Sequence, residues 1–355
     1  MAVQKHQEKD QVGFEAANPP WVVGYIETPA GGVPRVSTRL TWRDRLGAMA
    51  MRWSIGRGRY RVAPGLYAVG HPAGGCPLLA SANYKLSFDA LRKAMDGLDA
   101  WLLVLDTKGI NVWCAAGKGT FGTDELVNRV AVTGVGRTLA GATLILPQLG
   151  APGIAGHEVQ RRTGLKVVYG PVYADDIPAF LKAGMQASPA MRRVRFRLWD
   201  RLVVVPVEAV HRFMPALLAM LVFFLAAGVG RNGYSVAMVQ WPGIAVAVLG
   251  NFLVGVVVTP ALLPWLPGRS FALKGAETGL VTAAALWWFA GYGVLEGVGV
   301  GLMSLAACSF LNLMFTGCTP YTSMSGVRRE LRWAVPLQIV AAAAGLVFWL
   351  VARWR

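Results

Sequence analysis

The hydrophobic pattern changes character at Phe213. Beyond it the apolar runs are long enough to cross a bilayer, which needs about 20 residues of helix. They predict five spans, at about 213–230, 244–264, 276–293, 297–316 and 334–352. Between residues 77 and 183 the runs are short and alternate in type. Pro77–Ala82, Trp101–Leu105, Ile110–Trp113, Thr143–Leu146 and Lys166–Tyr169 read as strands. Phe88–Leu98, Thr123–Val132 (with Thr123 as N-cap), His157–Thr163 and Ile177–Ala183 read as helices. Short apolar strands with intervening helices predict an α/β sheet. Residues 1–20 read as a disordered tail, and 21–70, punctuated by Pro29, Pro34 and Pro64, as irregular. Residues 191–212 form a basic amphipathic connector. The expected organisation is a tail (1–20), an α/β domain with a basic N-terminal arm (21–190), the connector (191–212) and an all-α membrane domain (213–355).

Charge sharpens this picture. The chain of 355 residues has 35 Lys+Arg against 19 Asp+Glu, or +16, and a mean hydropathy of +0.44. Only eight basic and three acidic residues lie in 213–355, so most of the excess precedes the spans. The arginines between Arg39 and Arg61 fit an arm lying on an anionic leaflet, or a site that recognises phosphate or carboxylate. Arginine before the first span, Arg269 and Lys274 in one connection, and Arg328, Arg329 and Arg332 in another would face the cytoplasm by the positive-inside rule. The other connections hold Arg231 or Glu296. This expectation puts the α/β domain inside and the C-terminus outside, with Arg353 and Arg355 on the unfavoured side. The spans carry no string of charges marking an ion path, which favours anchoring over transport. Residues 1–20 show no secretory pattern, so the thiols are expected in a reducing compartment.

The four cysteines, Cys76, Cys114, Cys308 and Cys318, make no CxxC pair and no zinc spacing. Cys114 sits in Asn111-Val112-Trp113-Cys114-Ala115-Ala116-Gly117-Lys118, where a strand is expected to give way to a helix N-terminus. Such a place favours the thiolate. From the residues alone, Cys114 is a buried structural thiol, a nucleophile or a metal ligand. His71 and His157 offer it no His–Asp pair, so a papain-like reading has little support. Gly117–Gly122 matches GxGxxG literally, but the acidic residue expected about 20 positions on is missing. Walker A fails too, with Val112 at its first glycine and Gly119 after Lys118. Asn83, Cys114 and Pro147–Gly150 fall past the carboxyl ends of expected strands, where ligands bind in such sheets.

The stretch TKGINVWCAAGKGTFGT resembles the signature of the mercury-methylating corrinoid protein family, HgcA. Residues 60–72, 81–92, 146–153 and 169–181 resemble that family too, as does the order of a cytoplasmic domain before about five spans. The domain also resembles, more weakly, the corrinoid-binding domain of the corrinoid iron–sulfur protein, which lacks the cysteine. The resemblance implies a Rossmann-like α/β corrinoid-binding fold and a corrinoid-dependent methyltransferase. A methyl group would pass from a cysteine-ligated methylcobamide to Hg(II). Cys114 would be the lower axial ligand of the cobalt in a cobamide or cobalamin. Asn111, Val112 and Trp113 would hold it in place, and Ala115, Ala116 and Gly117 would lie under the corrin ring. Lys118, Gly119 and Thr120 would approach the corrin amides, and Asn83 and Gln148 would line other faces. A thiolate opposite the methyl group donates electron density to the metal, which suits delivery of a carbanion equivalent to Hg(II). Implied partners are an HgcB-like dicluster 4Fe–4S ferredoxin, a methyl-donor protein or methyl-pterin, Hg(II) and membrane lipid, with no nucleic acid. Arg192, Arg193, Arg195, Arg197, Arg328, Arg329 and Arg332 could dock an acidic partner, or simply follow the positive-inside rule. Cys308 and Cys318 are read as helix-packing thiols, with passage of Hg(II) as the other reading. Two alternatives stay open: a corrinoid methyl carrier for one-carbon metabolism, and a membrane scaffold or sensor that binds a cofactor without catalysis.

Overall fold

The computed structural model describes residues 19–354 apart from 140 and 230–232. The tail expected at 1–20 falls almost wholly outside these, as do Arg231 and Arg355 of the loop-charge pattern. The chain divides into one unit of residues 1–50 and 56–193 and a second of 51–55 and 194–355.

The first unit is built on a seven-stranded sheet of β1 Val22–Thr28, β2 Gly31–Val36, β3 Gly65–Val69, β4 Leu78–Ala82, β5 Ala100–Leu105, β6 Thr143–Leu146 and β7 Lys166–Tyr169. Their spatial order is β1-β2-β3-β5-β4-β6-β7. β5, β4, β6 and β7 are mutually parallel, and β3 runs antiparallel to β5. β4 and β5 are buried at every position, as strands covered on both faces must be. From β4 the chain steps to β5 on one side and then to β6 on the other. In such sheets the crevice beyond the carboxyl ends at that reversal is the place for a ligand.

Residues 21–70 are therefore not irregular: they supply three strands and the helix α1 Trp42–Arg52. Pro34 lies inside β2, opposite Tyr25. The ladder to β3 begins only at Arg35, so the absent N–H of Pro34 breaks no bond on that side. The helices α2 Lys85–Ala94, α3 Val112–Lys118, α4 Thr123–Thr133, α5 Val135–Thr138, α6 Gly156–Thr163 and α7 Ile177–Lys182 complete the unit. Most fall where the sequence places them, with one consequential exception. Ile110–Trp113 is no strand, because Val112 opens the short helix α3. A second correction concerns α4, whose N-cap is Gly122, in extended conformation. The Thr123 hydroxyl instead accepts from the Ala155 N–H at 2.9 Å, tying α4 to the loop before α6.

The second unit is helical. Four of its helical stretches, Leu198–Gly228, Gly233–Leu262, Val294–Phe315 and Ser325–Arg353, are long and apolar enough to cross a membrane. A further helix, Phe271–Ala290, is 20 residues long and carries Lys274 and Glu277; it coincides with the third expected span. Glycines set its packing. A Cβ at Gly275 would lie 2.4 Å from the Cys308 carbonyl oxygen, and one at Gly279 2.7 Å from that of Ser304. Such close backbone approach is how small residues hold helices together in lipid.

Candidate functional site

The site grows from the end of β5. Asp106, Thr107, Lys108 and Gly109 reverse the chain, and Lys108 and Gly109 both take positive φ, 59° and 72°. Asn83, at the end of β4, builds this reversal. Its Oδ1 accepts from the Thr107 N–H (3.1 Å), the Thr107 hydroxyl (2.9 Å) and the Gly109 N–H (2.9 Å), and its Nδ2 donates to Asp106 Oδ1 at 3.2 Å. Asn83 is 1% exposed. It holds the turn from inside and does not line a ligand face, contrary to its expected place. Burial would raise the Asp106 carboxyl, but hydrogen bonds from the side chain and backbone of Lys108 outweigh it and hold the group below the ordinary carboxylate range.

From this turn α3 starts on Asn111. Its Oδ1 accepts from the Cys114 N–H at 2.8 Å, the N-cap bond that satisfies an otherwise orphaned donor. The helix lasts seven residues and ends on Gly119, at φ 79°. Its two faces differ. Ala115 and Ala116 are buried in the core beneath the sheet's ends, with Val112 packed beside them. Trp113 and Cys114 are half-buried, and Gly117 and Lys118 are exposed one turn on. The two alanines thus face the protein, where the resemblance had placed them under a ring; the open face is that of Cys114, Gly117 and Lys118. A Cβ at Gly117 would meet nothing within 4 Å, and neither would one at Gly119.

The same helix is seated against the β6 loop. A Cβ at Gly153 would lie 2.2 Å from the Phe121 carbonyl oxygen and 3.1 Å from Ala116 Cα. Phe121 is fully buried against Gly150. Cys114 is therefore placed by both strands that flank β4. Gln148 is half-buried and its Oε1 accepts from Arg192 at 2.8 Å. Thr120 caps inward, donating its N–H to the Ala115 carbonyl oxygen at 3.0 Å. GxGxxG here joins one helix to the next and does not follow a strand directly, so the dinucleotide fingerprint lacks its structural context.

The electrostatics of Cys114 correct a further expectation. Burial pushes its thiol up, and the charges of Lys118 and Arg57 with a hydrogen bond from Asn111 only partly offset this. The thiol is thus a poorer source of thiolate than free cysteine. Metal binding, which displaces the proton, is the route to the sulfur anion. In the sequence Arg57 reads only as part of the basic arm, because it lies 57 positions before Cys114 and nothing local connects them. The other thiols are apart from this chemistry. Cys308 is buried and donates to Asn251 Oδ1 at 3.3 Å, and Cys318 donates to Glu208 at 2.5 Å. Among the described residues no group of three or more His, Cys, Asp or Glu side chains is disposed to hold a metal ion.

Residues 51–181, which include this whole site, match the family of the CO dehydrogenase/acetyl-CoA synthase delta subunit. Similar curated proteins are gamma subunits of the acetyl-CoA decarbonylase/synthase complex. That of Methanopyrus kandleri is 28% identical over 123 residues, 34% of this chain and 26% of its own. Those of Methanothermobacter thermautotrophicus and Methanocaldococcus jannaschii are 30% and 28% identical, covering 34% of this chain and 26% and 25% of theirs. The chain spans about a quarter of the length of these relatives. The likeness reaches a delta subunit by one comparison and gamma subunits by the other, and the family match ends at residue 181. The matched residues 51–181 include Cys114.

Proposed function

We propose that the α/β unit binds a corrinoid and that the chain is a membrane-anchored, corrinoid-dependent methyltransferase. The observation that carries this reading is the open face of α3. A sulfur donor stands beside a glycine with free space above it, at the crevice beyond β4 and β6, within the segment that resembles acetyl-CoA synthase subunits. This arrangement suits a flat, metal-bearing ring. A corrinoid held there would supply a cobalt able to carry a methyl group, and the Cys114 thiolate would favour its delivery to an electrophile such as Hg(II).

The residues have separable tasks. Cys114 would hold the metal through its sulfur, giving up the thiol proton to do so. Asn111 fixes the backbone that aims the sulfur, and Asn83 fixes the turn that leads to Asn111. Gly117 leaves room for the ring. Lys118 and Thr120 stand where they can meet its amide rim, and Lys118 adds a positive charge that favours the thiolate. The helical unit anchors the chain in the cytoplasmic membrane by five spans, counting Phe271–Ala290, with the α/β unit inside. The chain has no cysteine set for an iron–sulfur cluster, so the reading needs an outside reductant, for which a dicluster ferredoxin is suited.

The acceptor divides two readings. The relatives favour a methyl carrier for one-carbon metabolism, and the comparisons by themselves support that more directly. The cysteine motif and the spans beyond the matched residues favour Hg(II), which we adopt. Both are tested with the full-length protein and its Cys114→Ala form. We expect a corrinoid spectrum from the wild type, changed or lost in the variant. Cells deleted for the gene should regain methylmercury formation with the wild type and not with the variant. Corrinoid uptake without methylmercury formation would leave the carrier reading, and a spectrum indifferent to Cys114 would sink the ligand assignment.

A further inference from the structure

The helix α1 presents three faces. Asp44 points inward, where its carboxylate meets Lys85 at 2.6 Å and Arg92 at 3.0 Å. Gly47 lies on the same side, so close to Tyr60 that a Cβ there would stand 2.5 Å from the phenol oxygen. Opposite them runs an apolar stripe. Trp42 is 65% exposed, Leu46 50% and Met49 53%. At 3.6 residues per turn these three positions fall within about 60° of one another. Flanking the stripe on the helix are the exposed arginines Arg43, Arg45 and Arg52. The helix's single acidic residue, Asp44, is turned away and paired.

An exposed apolar stripe is uncommon on a soluble surface and marks an interaction. We infer that α1 is an interfacial helix that lays its Trp42–Met49 stripe into the surface of an anionic lipid bilayer. Charge and geometry select that occupant. Tryptophan at its start, apolar side chains along one face and arginine on the flanks are the pattern of helices lying at the headgroup boundary. The arginines meet the anionic headgroups while their stems run along the apolar boundary. A folded acidic partner would answer the arginines but not a single-file apolar stripe with no groove of its own. The same chain carries helices long and apolar enough to cross a bilayer. The clamp of Asp44 and Gly47 makes the stripe rigid to the α/β unit, so α1 acts as a foot for that unit on the membrane. This inference is independent of what the α/β unit binds.

The test uses the full chain in lipid nanodiscs, made from phosphatidylcholine alone or with phosphatidylglycerol admixed. A photoreactive benzoylphenylalanine replaces Leu46, and in a second variant Met49. A control carries it at Val132, which is 61% exposed on α4. The Leu46 and Met49 positions should form lipid adducts, roughly fivefold more with the anionic lipid present, and Val132 should not. Combining the label with Arg43→Gln, Arg45→Gln and Arg52→Gln should remove the dependence on anionic lipid. Adduct yields at Leu46 and Met49 no greater than at Val132, or equal in both lipids, would overturn the inference. So would adducts formed mainly with protein.

Discussion

At the scale of single residues, Gly117 separates what the fold needs from what a ligand needs. Inside a helix, glycine costs about 0.5–1 kcal/mol relative to alanine. A Cβ at 117 would meet no neighbour within 4 Å, so close packing does not explain why that cost is carried. Gly119 is different: its φ of 79° closes the helix, and alanine there is strained. We expect Gly117→Ala to stabilise the cofactor-free α/β unit by about 0.5–1 kcal/mol and Gly119→Ala to destabilise it by about 1 kcal/mol. Gly117→Leu should leave the fold intact and reduce corrinoid uptake at least as far as Cys114→Ala does. Thermal unfolding and corrinoid titration of the same preparations check both halves. Uptake by Gly117→Leu at the wild-type level would remove the ring from this face.

At the scale of elements, the hold of α1 on α2 rests on a buried charge cluster. Lys85 bonds Asp44 and Asp89, each at 2.6 Å, and Arg92 bonds Asp89 at 2.8 Å and Asp44 at 3.0 Å. Arg92 is fully buried and also donates to the Ser37 and Arg39 carbonyl oxygens. Removing one member strands the others, which typically costs about 3–5 kcal/mol. Asp44→Asn should therefore lower the protection of α2 amides from hydrogen exchange by that amount. Burial alone would raise the Asp44 carboxyl, but hydrogen bonds from Lys85 and Thr41 outweigh it and hold the group far below its ordinary 3.8. A carboxyl lowered in the folded state stabilises fully above its unfolded value and progressively less as pH falls below it. Wild-type protection should thus decline from about pH 4 downwards, and that decline should be much weaker in Asp44→Asn. Parallel pH profiles for the two proteins would assign the acid sensitivity elsewhere. This cluster was not legible in the sequence, because Asp44 lies in a segment read as irregular and its partners lie some 40 residues on. The strands of the parallel sheet were legible, since β4 and β5 are unbroken apolar runs. Ile110–Trp113 misled because its apolar letters mimic a strand, while the bond from Asn111 to the Cys114 N–H starts a helix. The motif singled out Cys114; that Ala115 and Ala116 turn inward could be read only once the helix was known.

At the scale of the whole molecule, the two units are held together internally by different means. The α/β unit buries apolar strands between helices and closes its polar edge with the Asp44 cluster. In the helical unit, apolar residues also face outward, among them Trp288 at 83% and Phe289 at 86% exposed, so apolarity cannot distinguish inside from outside. Close approach does so instead. A Cβ at Gly299 would lie 2.8 Å from the Gly345 carbonyl oxygen, and one at Gly345 2.7 Å from that of Gly299. With Gly275 and Gly279 against the helix Val294–Phe315, these glycines place that helix between two neighbours at backbone contact. Asn251 adds a bond to Ser304 at 3.0 Å, and Gln338 one to Ser309 at 2.8 Å. Gly250 and Gly243 are a built-in control, because a Cβ at either would meet nothing within 4 Å. Gly279→Leu should cost at least about 1–3 kcal/mol through overpacking, seen as a lower melting temperature and a poorer yield of folded protein from detergent. Gly250→Leu should be nearly silent by the same measures. Equal losses from the two would mean that lipid-facing and helix-facing glycines are alike, and that the bundle is held by something other than close backbone contact.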